Sequence, residues 1–232
     1  MKNSILYEDN HLIIINKKSG EIVQGDKTGD ESLIDKVKSY LKNTYQKQGN
    51  VFCGLVHRVD RPVSGIVIFA KTSKALSRMN AIFKEQKIQK FYWAIVKNKP
   101  QDECGTLVHY LKKNENLNKS FAVNSEKKGY QRAELIYTYL LSSEHYHLLE
   151  IELITGRHHQ IRVQLSAIGS TIKGDLKYGY PRSNSDASIS LHARAVKFTH
   201  PVSNIALTIE APLPKDSLWM YFKEKMKEKN RL

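Results

Sequence analysis

The chain has 232 residues, 41% of them hydrophobic, with only 12 Gly and 6 Pro, which is enough for a substantial core and reads as one globular domain over 1–232 with room for two lobes. Thirty-seven Lys and Arg against 23 Asp and Glu leave a formal charge of +14. Such a surface either attracts a polyanion, nucleic acid first, or serves only solubility.

Cys53 and Cys104 stand far apart with no CxxC or Cys/His cluster, which argues against a zinc site or a disulfide framework and fits a reducing cytoplasm. The early apolar run Leu12 to Ile15 is too short for a signal-peptide core or a membrane span, so no targeting or membrane anchor is expected.

In chain order, "ILYEDNHLIIINK" predicts two strands around a turn at Asp9-Asn10, then a loop through Gly20, Gly25 and Gly29. Leu33, Ile34, Val37, Tyr40 and Leu41 recur at helical spacing. "GLVHRVDRPVSGIVIFAKT" leads through a turn at Pro62 into an uncharged strand, and Ser73 is placed to cap a helix carrying Leu76, Met79, Ile82 and Phe83. "KFYWAIVKN" is a strand. The lysine-rich segment Lys112 to Lys128 lacks periodicity and is expected to be a long exposed loop, either a solvated hairpin or a finger touching RNA. "AELIYTYLL" and "YHLLEIELIT" predict an antiparallel pair. Thr155 is expected to cap a helix bearing Ile161, Leu165 and Ile168 and ended by Gly169. Strands around "SLHARAVKFTH" and "IALTIEAP" precede a basic helix from about Asp216. Without regular βαβ alternation the class is α+β: a mixed, largely antiparallel β-sheet with flanking helices.

Three places concentrate chemistry. Asp60 sits among His57, Arg58 and Arg61, where neighbouring cations favour an ionised carboxylate suited to act as nucleophile or base; the alternative is an Asp–Arg pair that pins a turn. Tyr92 lies on a strand, sharing a face with Ala94 and Val96, where a tyrosine ordinarily belongs to the core. Arg157, His158, His159 and Arg162 crowd the start and middle of one predicted helix, which suggests a phosphate or carboxylate nearby or else a basic solvent face. Adjacent histidines diverge by about 100° on a helix and no third ligand is near in sequence, so a metal is not expected. GxxxxGK[ST], GxGxxG and GxSxG are missing, which leaves nucleotide hydrolysis, dinucleotide redox and serine hydrolase chemistry without their usual supports.

Four segments in order resemble the RluA-type pseudouridine synthases: "GLVHRVDRPVSGIVIFAKT" their HRLD motif, "KFYWAIV" their K-x-Y-x-A-x-V strand, "TGRHHQIRVQLSAIGSTIKGDLKYG" their GR-x-HQIR-to-GD-x-x-YG segment, and "LHARAVKFTHPVSN" their closing LHA…F-x-HP strand. The resemblance runs from about Ile5 to Pro214. It implies the pseudouridine synthase catalytic fold and isomerisation of uridine in a tRNA or rRNA stem-loop, without metal or organic cofactor, by a monomer. By motif position Asp60 falls on the family's catalytic aspartate, Tyr92 on its active-site tyrosine, and Arg162 on the basic residue that pairs with the aspartate. Arg58 falls on the arginine that can fill the space left by a flipped-out nucleotide. His57, Arg61, Arg157, His158 and His159 are the further candidate RNA contacts. Departures include Val59 for Leu, Pro62-Val63 before Ser-Gly, Gln164 for His, and Ser170-Thr171 for His-Pro. The chain starts at the catalytic region, without the S4-like domain of many relatives, so target choice is expected to rest on this domain. Rival classes are an RNA-binding module that has lost activity, and a glycosidase-like enzyme using Glu150 or Glu152 as a second carboxylate.

Overall fold

A computed structural model describes residues 1–25 and 29–229. In chain order its elements are β1 (Ile5–Glu8), β2 (Leu12–Lys17), α1 (Leu33–Thr44), β3 (Gly54–Leu55), β4 (Ser64–Ala70), α2 (Ser73–Lys84), β5 (Ile88–Val96), β6 (Cys104–Asn114), β7 (Lys119–Val123), β8 (Gln131–Ser142), β9 (His147–Leu153), α3 (Gln160–Ala167), β10 (Leu191–Thr199), β11 (Ala206–Glu210) and α4 (Ser217–Lys229). The class is α+β, with mixed, mostly antiparallel sheet structure, as the order of elements implies. The chain divides into two compact units, residues 1–89 with 193–212 and residues 90–192 with 213–232.

In the first unit the strand order is β1-β2-β4-β10, with β3 beside β4 and β11 beside β10. Asp9 makes the expected first turn, its Oδ1 accepting from the backbone N–H of both His11 and Leu12 at 2.7 Å. β2 then buries Leu12 to Ile15 completely and runs antiparallel to β4, which is buried along its whole length; this is why neither run carries a charge. Gly65, the second residue of β4, lies at φ +109°, and a Cβ there would lie 2.3 Å from the Ala193 carbonyl oxygen, so only glycine allows so close a backbone approach. α1 is capped by Ser32 and buries Leu33, Val37 and Leu41. The middle of the expected glycine loop, residues 26–28, lies outside the described residues. α2 is capped by Thr72, not by Ser73: the Thr72 hydroxyl accepts from Ala75 N–H at 3.1 Å, and Ser73 is already helical.

In the second unit the order is β5-β9-β8-β6-β7, and all four neighbour pairs are antiparallel. α4 closes one face, packing Trp219 and Phe222 on Trp93, Ile95 and Leu148. α3 lies on the other, where Val163 and Tyr178 pack on Leu111 and Ala133. Tyr92 sits opposite Ile151, and Ile151 opposite Tyr137. Alternation along β8 then carries this row to Ala133, so Tyr92 is on the face that bears α3.

Residues 112–128 are not one long loop but form a hairpin, the first of the two alternatives: β6 runs to Asn114, the chain turns, and β7 begins at Lys119. Ser120 and Ala122 face into the fold beside Leu111, while Phe121 between them is exposed, so the usual apolar-in, polar-out alternation was hidden. Thr155 does not cap α3, which starts five residues later behind His159, a left-handed residue at φ 54°. The Thr155 hydroxyl instead accepts from Glu134 N–H at 2.8 Å and donates to Gln160 Oε1 at 2.7 Å, tying β8 to the helix start. Arg157, His158 and His159 therefore precede the helix, and only Arg162 rides on it. Gly169, at φ +80°, follows the last turn as expected.

Candidate functional site

Asp60 is half-buried in a turn closed by Val63 N–H donating to the Asp60 carbonyl at 3.0 Å, between buried Val59 and buried Val63. Two apolar anchors thus present one carboxylate. Arg58 beside it is exposed. The Arg61 guanidinium turns away from Asp60, with Nη2 on Asp30 at 2.7 Å and Nε on the Gly20 carbonyl at 3.1 Å. The expected Asp–Arg pair at this turn is accordingly not made by Arg61. His57 is committed to the fold as well: its Nε2 accepts from Ile68 N–H at 3.2 Å and its ring stacks on Phe83.

Lys17 is the residue that sequence reasoning missed. It ends the buried strand β2 at 1% exposure, and its ammonium donates to the carbonyls of Lys18, Glu21 and Arg61 at 2.9, 2.9 and 3.1 Å. All three donor protons are used, one of them on the residue next to Asp60. Burial pushes the Lys17 pKa down to about 8, while Glu21 and Asp60 pull it back up and Arg61 lowers it. Lys17 therefore braces the turn and sets a cation in the field of Asp60. The visible signal was a lysine closing a strand that opens with four consecutive apolar residues.

In the second unit Tyr92 is 9% exposed on β5. Arg162 forms a two-pronged bond with Asp175: Nε to Oδ2 at 2.7 Å and Nη2 to Oδ1 at 2.8 Å. Both side chains are buried, and the guanidinium lies 5.1 Å from the Tyr178 ring centroid. Gly174 places Asp175: at φ +86°, a Cβ there would meet the Ser188 carbonyl at 2.7 Å. Asp175 was inside the quoted "GDLKYG" but nothing local marked it as the partner of a residue 13 positions back.

The two histidines do not diverge, because His159 is left-handed and outside the helix; their rings stack with centroids 3.8 Å apart. Burial first, then the charges of Arg162, His158, Lys177 and Lys113, push the His159 pKa down to about 2, so the ring is neutral. His159 Nδ1 and the Tyr178 hydroxyl share a hydrogen bond of 2.9 Å, and that hydroxyl accepts from Ser120 N–H at 2.8 Å. His158 bonds Ser120 Oγ and Asn118 Oδ1 at 2.9 and 3.1 Å. Both histidines thus fasten β7 to the start of α3. Arg157 is exposed, its Nε donating to the Arg132 carbonyl at 3.1 Å. Glu150 accepts from Trp93 Nε1 at 3.1 Å, and both Glu150 and Glu152 alternate onto the face opposite Tyr92, which removes them from its surroundings. Among the described residues no group of three His, Cys, Asp or Glu side chains is placed to hold a metal ion, and no helix is long and apolar enough to cross a membrane.

The sequence model of one family, RNA pseudouridylate synthase, matches residues 11–167, a span that holds Asp60, Tyr92 and Arg162. The chain is 34% identical over 219 residues to ribosomal large subunit pseudouridine synthase C of Vibrio cholerae, covering 92% of this chain and 66% of that protein. It is 31% identical over 222 residues to ribosomal large subunit pseudouridine synthase D of Zymomonas mobilis, covering 91% of this chain and 69% of that one. The chain thus spans about two thirds of the length of these relatives. In fold it is similar to human RNA pseudouridylate synthase domain containing 4, with a TM-score of 0.78 at 23% identity, over 97% of this chain and 94% of that chain.

Proposed function

We propose, from the premise that this chain belongs to the RNA pseudouridylate synthase family, that it isomerises uridine to pseudouridine in RNA. The observation that carries this reading is the family match over residues 11–167, the span in which Asp60, Tyr92 and Arg162 lie. In the reaction the C1′–N1 bond breaks, the C1′–C5 bond forms, C5 loses a proton and N1 gains one. The balance needs no oxidant or reductant, and the proposal includes no cofactor and no metal.

A paired or stacked uridine hides these atoms, so the nucleotide flips out at an unstacking cost of about a few kcal/mol. Asp60 supplies the carboxylate, as nucleophile on sugar or base or as base toward a sugar proton. Tyr92 stacks on the flipped base and assists proton transfer, and Arg162 contributes fixed positive charge, oriented by Asp175. Arg58 fills the vacated stack and Arg157 meets phosphate, both being exposed. His57, His158, His159 and Arg61 support the fold around these positions instead of reaching RNA. The whole chain, as a monomer in the cytoplasm, works as one catalytic domain on a ribosomal or transfer RNA stem-loop, ribosomal RNA being favoured by the names of the relatives. Nucleoside analysis of RNA incubated with the pure chain tests this: pseudouridine appears at the expense of uridine, and its absence from ribosomal and transfer RNA alike ends the reading.

A further inference from the structure

The hairpin of β6 and β7 carries a face that the isomerisation chemistry does not use. Alternation turns Leu111, Ser120 and Ala122 inward against α3, and turns Lys112 and its cross-strand partner Phe121 outward. Phe121 is 44% exposed, a large ring left in water on the solvent side of a sheet. α4 covers the same side of the sheet at its β5–β9 end only, over Trp93 and Leu148.

The charges around this ring are arranged unusually. Residues 112–134 hold five lysines and one arginine against three glutamates. Arg132 is paired with Glu134, and Lys113 with Glu115. Lys112, Lys119 and Lys127 form no ion pair with a carboxylate among the described residues and lie against aromatic rings instead. Lys119 Nζ is 5.8 Å from the Phe121 centroid and 5.2 Å from that of Tyr178; Lys112 and Lys127 are 5.9 and 5.6 Å from that of Tyr130. A ring holds an ammonium without neutralising it, so these cations keep their charge for an external anion.

The hairpin is also held rigid. Ser120 Oγ donates to the His158 carbonyl at 2.7 Å, Lys177 Nζ donates to the Asn118 carbonyl at 2.9 Å, and Ser120 N–H is taken by the Tyr178 hydroxyl. A ring on a preformed strand loses little freedom when it binds.

We infer that the outer face of the β6–β7 hairpin is a docking platform for an unpaired stretch of the RNA, with one base stacked on Phe121 and the flanking phosphates on Lys112 and Lys119. An aromatic ring on a sheet flanked by unneutralised cations fits single-stranded RNA, since it offers every base a π-face and every phosphate a charge. An acidic protein surface would use the lysines but gain little from the ring. The inference rests on RNA as the substrate class and places a second contact outside the reacting groups, where it contributes affinity and not chemistry.

The test is fluorescence anisotropy of the full chain with a labelled, unstructured 12-nucleotide RNA at several salt concentrations, with polyglutamate as a second probe. Phe121→Ala is expected to weaken RNA binding about tenfold, with Phe121→Tyr restoring it, because base–aromatic stacking survives in the phenol. Polyglutamate binding should not change in either variant. Lys112→Gln with Lys119→Gln is expected to flatten the log–log salt slope by about 1.4, at about 0.7 for each phosphate contact to a single strand. Wild-type affinity in Phe121→Ala, failure of the wild type to bind the oligonucleotide, or equal losses for RNA and polyglutamate would each overturn the platform. Thermal melts of each variant separate misfolding from lost contact, and Phe121→Tyr keeps the comparison decisive. The titration reads binding alone, so a chain that bound RNA through Phe121 yet made no pseudouridine would end the isomerase reading and leave the platform standing.

Discussion

Arg162 and Asp175 meet through two parallel hydrogen bonds, 2.7 and 2.8 Å long, with the arginine 5% and the aspartate 1% exposed. Two desolvated charges in this geometry depend on each other far more than a surface pair does.

Asp175→Asn should therefore destabilise the chain by about 3–5 kcal/mol, the usual cost of removing one member of a buried pair. Arg162→Met with Asp175→Leu should recover part of the loss, because no buried charge is left behind. Urea unfolding of the single and double variants measures both. Additive losses would show that the two residues act separately.

Lys17 is expected to shape stability on the alkaline side. Its folded pKa, about 8, lies below the ordinary 10.5. Between these values the unfolded chain binds the proton that the folded chain has released, so stability rises with pH across the window, by ~3 kcal/mol in full. Lys17→Met should abolish that rise and lower stability at pH 7, since three carbonyls lose their donor. Denaturation midpoints at pH 7.5 and 9.5 report it.

His159 acts on the acid side. Its pKa is pushed down to about 2 from 6.5, so the unfolded chain takes up a proton that the folded one refuses. Stability is complete above pH 6.5 and is lost as pH falls below it. His109 and His147, also lowered by burial, act in the same direction. His159→Gln should flatten the fall between pH 6.5 and 5 without removing it, as read by urea midpoints at several pH values.

Gly65→Ala should cost roughly 2–5 kcal/mol, since the new methyl group would overlap the Ala193 backbone at a φ that alanine resists. A melting temperature equal to wild type would refute the close approach.

What the sequence revealed follows from what each residue does locally. Ile13, Val67 and Leu149 belong to runs whose alternation or continuity announces a buried strand, and Asp60, Tyr92 and Arg162 sit in motifs long enough to identify the family. Thr155 misled because its hydroxyl serves Glu134 and Gln160, a use fixed by a strand more than twenty residues back. The β7 strand was hidden by its solvent face, where Phe121, an exposed ring, breaks the expected pattern of polar outside. Lys17 and Asp175 were opaque for one reason: each is defined by a partner brought near only by the fold, the Arg61 carbonyl for Lys17 and the Arg162 guanidinium for Asp175.

The central claim, that Asp60 is the group which reacts in an RNA uridine isomerase, is tested most directly by single-turnover pseudouridine formation with wild type and Asp60→Asn on the same RNA, alongside binding and melting of both. The wild type should form pseudouridine, and Asp60→Asn, folded and binding RNA with similar affinity, should form none. Pseudouridine released by Asp60→Asn at a rate near wild type would contradict it.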